Sequence, residues 1–442
     1  MRRRGFRHRG FRERRERRML AVGEEIRYRI VPILEEHWDG FFEAQKRWIR
    51  PVVLETVRKL CACRTAALGC HVYVCPEGHE TRIVPHSCKS RFCPTCGKHA
   101  TDRWADGALS DLLEVPYHHV VLSVPWQLRT IMGFNREVCL SILARAGTAC
   151  FEQWAREQHG MRMGIVTVIH TFGADLKWHP HLHLLLTEGG LSLDGERWIE
   201  PYNRGWLRGH AGLKRMWKYH VVTAFRKAHK RGELRFRTDT GFLKPYPCFI
   251  AFLNTLWQLT WYAHIGACLL DPSATLRYMG RYTKRAVLAE YRITYYDGKK
   301  VCFAFKDYAA GGRTSFKWLP VHKFIGRLIR HIPDKHFKTV RYSGLFATRW
   351  RAQHLADARR ALGQDPEAAE AAPEPSEAPV SMRTWRERRQ AETGRDPLTC
   401  SHCGRSLVLS EVAFGPHARI EALFRRAGQP LQAFHPALAM GP

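Results

Sequence analysis

The stretch WHPHLHLLLTEGG, residues 178–190, decides the fold. His181 and His183 flank a single leucine, and Leu184, Leu185 and Leu186 follow, then Glu188 and two glycines. In an extended strand, side chains alternate between faces. His181 and His183 therefore point the same way, with Cα atoms roughly 6–7 Å apart. Leu182, Leu184 and Leu186 point the other way, into a core. Two imidazoles on one strand face can grip one metal ion and leave its other coordination positions open, which metal-assisted chemistry needs. The plain alternative is a pair of histidines on a half-exposed strand, and the rest of the chain decides between the two.

The surrounding composition narrows the choice. Lys+Arg number 71 against 41 Asp+Glu, a formal net charge of +30. Such a balance predicts a polyanionic partner, most simply nucleic acid. The charge is not confined to a tail: residues 1–18 hold ten arginines and two glutamates, so most of the excess falls on the folded part. At 442 residues the chain is expected to form two or three domains. Seven of the 14 cysteines lie between Cys61 and Cys96, and Cys400 and Cys403 form a second group. The arginine-rich start runs into only four apolar residues, too few for a signal peptide. Clustered cysteines then read as metal ligands in a reducing cytoplasm, with the protein on the nucleoid, rather than as disulfides. The longest uncharged run, residues 249–270, is interrupted by Asn254, Gln258 and His264, and reads as a buried helix followed by a strand rather than a membrane span.

Upstream, residues 23–60 show helical spacing of Ile26, Ile30, Ile33 and Leu34, with a break or kink at Pro51. Residues 70–99 then bring Cys75, His79, Cys88, Cys93 and Cys96 together in sequence, the last two in the turn CPTCG. Four of these five complete a tetrahedral zinc site on this reading. Lys89 and Arg91 beside them suit contact with nucleic-acid phosphates. HHVVLSVP (118–125) reads as a strand, and residues 136–158 as a helix. GIVTVIHTFG (164–173) reads as a strand paired in a hairpin with the histidine strand. His170 then lies near His181 as a third ligand or, the preferred reading, a polar strand residue.

DPSATLRYMGRYTKRA (271–286) is the second informative stretch. Asp271 or Ser273 caps a helix and Pro272 suits its first turn. Tyr278 and Tyr282 are four apart and share a helix face, surrounded by Arg277, Arg281, Lys284 and Arg285. The basic surroundings argue against two core aromatics and for DNA contact. A tyrosine can act as a covalent nucleophile once base or positive charge assists it. Residues 291–346 alternate strand patterns around Gly311 and Gly312, with a helix at 322–332. Residues 362–382, rich in Ala, Pro and Glu, read as a disordered linker. Cys400 and Cys403 form half of a second candidate zinc site, with His402, His417 and His435 within reach in sequence.

HPHLH on an apolar strand, followed about a hundred residues later by Y-x-x-x-Y on a basic helix, resembles the HUH tyrosine endonucleases. CRTAALG (63–69), SCKSRFCPTC (87–96), HTFGADLKWHPHLH (170–183), YMGRYTKR (278–285) and VRYSG (340–344) resemble, in order, the blocks of rolling-circle insertion-sequence transposases with two tyrosines and an N-terminal zinc-binding domain. The resemblance covers roughly residues 50–346. It implies an α+β fold, an antiparallel sheet with flanking helices, carrying both histidines on a central strand. It implies a divalent ion, Mg2+ or Mn2+, on His181 and His183, with Tyr278 and Tyr282 attacking single-stranded DNA at element ends and target to leave a 5′-phosphotyrosine. One departure stands out: where the family often carries C-x-x-C at the first zinc pair, this chain has Cys75 and then His79, so the zinc ligand set stays open. The expected organisation is a basic tail (1–18), a helical region (19–60), a zinc-binding domain (61–100), a nuclease domain (114–346), the linker, and a C-terminal tail (383–442) with the candidate knuckle. No ATP-binding motif accompanies these, as fits chemistry that conserves bond energy in a covalent adduct. A rolling-circle replication initiator or relaxase-like nuclease shares the chemistry. A non-catalytic zinc-dependent DNA-binding regulator would leave the coexistence of the histidine and tyrosine pairs without a reason.

Overall fold

A computed structural model describes residues 29–109, 111–200, 212–237, 239–284, 287–364, 384–415 and 418–426. The basic tail, Arg285, His417, His435 and most of the linker fall outside these residues, as do the side chains of Arg281, Tyr282 and Lys284. The fold is α+β.

The expected break at Pro51 separates α1 (Ile30–Gln45) from α2 (Pro51–Cys61). Proline opens α2 at a position where its missing N–H leaves no intrahelical bond unmade. Strands β1 (Cys70–Val74) and β2 (Thr81–Pro85) form a hairpin, and α3 (Pro94–Leu109) follows. Next come β3 (Tyr117–Ser123), α4 (Trp126–Phe134) and the long α5 (Arg136–His159). Short β4 (Met161–Arg162) precedes β5 (Gly164–Phe172) and the histidine strand β6 (Trp178–Thr187). β7 (Gly190–Ser192) and β8 (Trp198–Ile199) pair beside β4. α6 (Leu213–Lys230) comes next, and the uncharged run then folds as a helix and a strand, α7 (Tyr246–Gln258) and β9 (Tyr262–Leu269). The tyrosine helix α8 (Ser273–Lys284) is next, then the meander β10 (Ile293–Tyr296), β11 (Lys300–Asp307) and β12 (Arg313–Pro320). α9 (Val321–Arg330), β13 (Val340–Gly344) and α10 (Arg351–Leu362) complete this part. Beyond the linker lie α11 (Trp385–Thr393), β14 (Val408–Ala413) and α12 (Ala418–Arg426).

The main sheet has five strands in the order β13-β5-β6-β3-β9, antiparallel throughout, with β6 in the centre. Strand alternation divides its residues cleanly. Leu182, Leu184 and Leu186 join Val120, Leu122, Ile165 and Ile169 under α4 to α7, where Trp217, Phe225, Phe249 and Leu253 are fully buried. Each such leucine contributes about 1.5–3 kcal/mol by leaving water. The opposite face carries the histidines. There Val166, Val168 and Leu185 pack under Leu276 and Met279 of α8.

Two arrangements differ from the expected organisation. The N-terminal helices do not stand apart: Trp38, Phe41 and Val57 share a core with Phe303, Phe324 and Leu328 of the β10–β12 meander and α9. The described residues of the C-terminal region, 384–415 and 418–426, are not simply a tail either, because β14 pairs antiparallel with β1 to make a three-stranded sheet β14-β1-β2. A pairing between residues more than three hundred apart leaves no local trace in sequence.

Candidate active site and metal centres

On the histidine face, strand register sets the geometry. His170 of β5 stands opposite His181 of β6, and His183 stands opposite Val168 on one side and Val121 of β3 on the other. His170, His181 and His183 offer ring nitrogens that all lie within 4.8 Å of one another. The ring centres of His170 and His183 are 4.0 Å apart, and those of His181 and His183 are 5.0 Å apart. His170 therefore lies beside the pair, as the hairpin predicts, with a ring nitrogen placed where a third ligand's would be. The hairpin register is the cause, since it sets the two strands' inward residues in one row.

Supporting contacts orient two of the three rings. His181 Nδ1 lies 2.7 Å from the His179 carbonyl oxygen, so Nδ1–H donates there and Nε2 stays available. His183 Nδ1 lies 2.8 Å from His119 Nε2. Burial pushes His181 down to about 4, and burial pushes His170 and His183 well below the ordinary histidine range. All three are neutral at physiological pH, the form that ligates metal. Three imidazoles with no carboxylate suit a transition ion better than magnesium, which prefers oxygen ligands.

Helix α8 lies across this face. The Asp271 carboxylate accepts from the Ser273 N–H at 2.8 Å, one of the two caps expected. Leu276 and Met279 are fully buried against the sheet, which leaves Tyr278 half-buried beside the histidines. Its ring centre is 5.9 Å from that of His183 and 6.3 Å from that of His119. His119 belongs to no motif in the sequence; its signal is the pair His118–His119 on one strand, of which one must face each side. His118 indeed faces the other way, near Glu188 and Cys268.

Among the basic residues read as DNA contacts, Arg277 is exposed and pairs with Asp106 of α3 at 3.2 Å. Lys89 is exposed. Arg91 is not free on the surface: it is half-buried and donates to Thr339 Oγ1 at 3.2 Å.

The cysteines separate into two groups. Cys63, Cys88, Cys93 and Cys96 form one, and Cys75, His79, Cys400 and Cys403 the other. The single site drawn from Cys75, His79, Cys88, Cys93 and Cys96 is thus corrected. Cys63, in the turn after α2, completes the first group, and the β1–β2 hairpin carries Cys75 and His79 away from it. In the first group the Sγ–Sγ separations are 3.6 Å for Cys63–Cys96, 3.7 Å for Cys88–Cys96 and 3.8 Å for Cys63–Cys93. A tetrahedral zinc ion with bonds of about 2.3 Å sets sulfurs about 3.8 Å apart, so the four thiols fit one. Cys93 and Cys96 bracket the start of α3, which packs on α8. A Cβ added at Gly280 of α8 would lie 2.7 Å from the Trp104 ring, so only glycine admits this close approach of the two helices.

Comparison with known proteins agrees with this architecture. Residues 33–124 match the family described as "Transposase zinc-binding domain", of the IS91 type, and residues 164–354 match the family described as "Putative transposase". Together they define an insertion-sequence transposase with an N-terminal zinc-binding domain. The chain is 31% identical over 350 residues to the "Putative transposase y4qJ" of Sinorhizobium fredii, covering 79% of this chain and 86% of that protein. It is 27% identical over 378 residues to the transposase for insertion sequence element IS801 of Pseudomonas savastanoi pv. phaseolicola, covering 83% and 85%. The chain belongs to this IS91/IS801 transposase family. No solved structure matches it. No helix among the described residues is long and apolar enough to cross a membrane.

Proposed function

We propose that this transposase cuts and rejoins single-stranded DNA through a 5′-phosphotyrosine, in the manner of the HUH enzymes and for rolling-circle transposition. The observation that carries the reading is the Tyr278 ring 5.9 Å from His183, on a sheet face where three neutral imidazoles converge. His181, His183 and His170 would hold one divalent ion, a transition ion in preference to magnesium. Bound there, the ion would supply charge stabilisation at the non-bridging oxygens of the scissile phosphate. The phenol of Tyr278 or Tyr282 loses its proton and its oxygen forms the new bond to phosphorus. The bond to the 3′-oxygen breaks, and that oxygen takes up a proton to leave as a free 3′-OH. The second tyrosine, one helical turn away, can attack at another junction while the first holds the 5′ end. Rejoining reverses the step, so no ATP is consumed. The test removes the ion's ligands. His181→Ala and His183→Ala are each expected to lower cleavage of an element-end oligonucleotide on the order of 10²-fold or more while DNA affinity stays within a few-fold. Chelated wild-type protein should behave alike. Cleavage at the wild-type rate by either variant rejects a metal at this position.

Single-stranded DNA is the substrate the surface suits best. Ser123 pairs with His181 on one side and with Tyr262 of edge strand β9 on the other, so Tyr262 continues the His170–His181 row. Tyr262 is 56% exposed, and its ring stacks near-parallel with His264 at 6.3 Å. Such a shelf can stack a base beside the scissile phosphate, and the +30 charge supplies backbone attraction. With about six phosphate contacts, single-strand affinity should fall about 300-fold between roughly 50 and 200 mM salt. Tyr262→Ala should weaken single-strand binding by about 5- to 100-fold with the salt slope unchanged. A flat salt dependence, or equal binding of unrelated duplex, counts against the assignment.

A further inference from the structure

Neither family match reaches the C-terminal segment, for they end at residues 124 and 354. Yet that segment brings two thiols to the β1–β2 turn. Cys75 Sγ lies 3.5 Å from Cys403 Sγ and 3.7 Å from His79 Nδ1, and these atoms and Cys400 Sγ all fall within 4.8 Å of one another. A disulfide would set two sulfurs about 2.05 Å apart, whereas the edges of a tetrahedral Zn–S,N site are about 3.5–3.8 Å.

The two halves are built alike. The Cys75 N–H donates to the Glu80 carbonyl and the Cys400 N–H to the Arg405 carbonyl, both at 2.8 Å. The Gly78 N–H returns to the Cys75 carbonyl at 2.9 Å, and the Gly404 N–H to the Cys400 carbonyl at 3.0 Å. Two matching knuckles thus face each other, each presenting a pair of ligands. Cross-links surround them: Arg405 pairs with Glu77 at 2.5 Å, and Ser401 N–H donates to Glu80 Oε2 at 3.0 Å. Leu398 and Leu407 pack buried beside Cys75 and Cys400.

We propose that Cys75, His79, Cys400 and Cys403 hold a second zinc ion that staples the C-terminal segment, residues 384–426, onto the N-terminal zinc-binding domain. Three thiolates and one imidazole select a soft tetrahedral ion, and four protein ligands close the site to substrate, so its role is structural. The staple fixes β14 against β1. It also explains Gly69, whose backbone (φ +85) runs so close to β14 that an added Cβ would sit 2.0 Å from the Ala413 carbonyl oxygen. Phe424 and Ile420 of α12 then bury against Cys70, Val72 and Ile83. The inference is independent of the tyrosine chemistry.

The experiment uses the full chain with a protease site inserted between residues 370 and 380. Wild-type protein should contain about two zinc ions per chain, and Cys400→Ser with Cys403→Ser about one. In cobalt-loaded protein the thiolate-to-cobalt absorption should fall from seven contributing thiolates to four. After cleavage, the C-terminal fragment should co-elute with the rest of the wild-type protein and separate from the double variant. Cys403→His, which keeps a ligand, should restore both the second zinc and co-elution. Unchanged metal content in the double variant overturns the site. Co-elution of its cleaved fragment overturns the staple, leaving β14 pairing as sufficient. A single zinc in wild-type protein overturns both.

Discussion

Tyr278→Phe and Tyr282→Phe together should abolish covalent adduct formation on a suicide oligonucleotide, a loss on the order of 10³-fold or more. Each change removes one oxygen and keeps the ring, so packing around the half-buried Tyr278 is retained and DNA affinity should move little. The single variants separate the roles. Tyr278→Phe removes the hydroxyl of the ring that lies beside His183, so its remaining adduct must map to Tyr282 by peptide mass spectrometry. Tyr282→Phe should leave adduct at Tyr278. Residual adduct in both singles, with none in the double, is what two alternating nucleophiles require. If one single variant is already inert, one tyrosine carries the chemistry alone. An adduct in the double variant rejects both residues and with them the proposed mechanism.

How much of this was legible without coordinates depended on the range of the interaction. Strand alternation alone put His181 and His183 on one face and the three even-numbered leucines in the core, because period two is a local property. The hairpin and the Asp271 cap were local in the same sense. His170 stood within reach of the same logic, since a hairpin with a short turn fixes which residue faces which, but its role required the register itself. His119 needed the non-local pairing of β3 with β6. The metal clusters were least legible. Cys63 lies 25 residues before Cys88, and Cys400 lies 325 after Cys75, with no periodicity linking them. Proximity in sequence favoured one site of neighbouring ligands, whereas loop closure over long separations costs only slowly more with length. The C-x-x-C turn at Cys400 reads as half a site because the two residues the fold sets opposite it, Cys75 and His79, lie more than three hundred residues earlier in the chain.

Cys93→Ser with Cys96→Ser is expected to have an effect of comparable size by a different route. The four thiols of the first group tie the end of α2, the loop before α3 and the first turn of α3 to one point. Structural zinc of this kind contributes on the order of 10 kcal/mol or more to local folding. From that anchor α3 runs directly under the tyrosine helix. Thr101 donates to the Gly97 carbonyl at 2.8 Å, Trp104 covers Gly280, and Asp106 pairs with Arg277 at 3.2 Å. Trp104 Nε1 also donates to the Tyr342 hydroxyl of β13 at 2.9 Å, which wedges α3 between α8 and the sheet edge. Freeing the first turn of α3 therefore loosens the support behind Tyr278. A displacement of about 1 Å at a nucleophile can cost about 10²-fold in rate. The double variant should lose about one zinc per chain, become sensitive to protease within residues 61–109, and cleave DNA at least about 10²-fold more slowly. His183→Ala, by contrast, should leave zinc content and protease resistance at wild-type levels while losing the same activity. Cys96→His, which preserves a ligand, should recover zinc and most of the cleavage. Should the serine variant lose its zinc and still cleave at the wild-type rate, α3 does not position the tyrosine helix, and the first zinc group serves only the stability of its own domain.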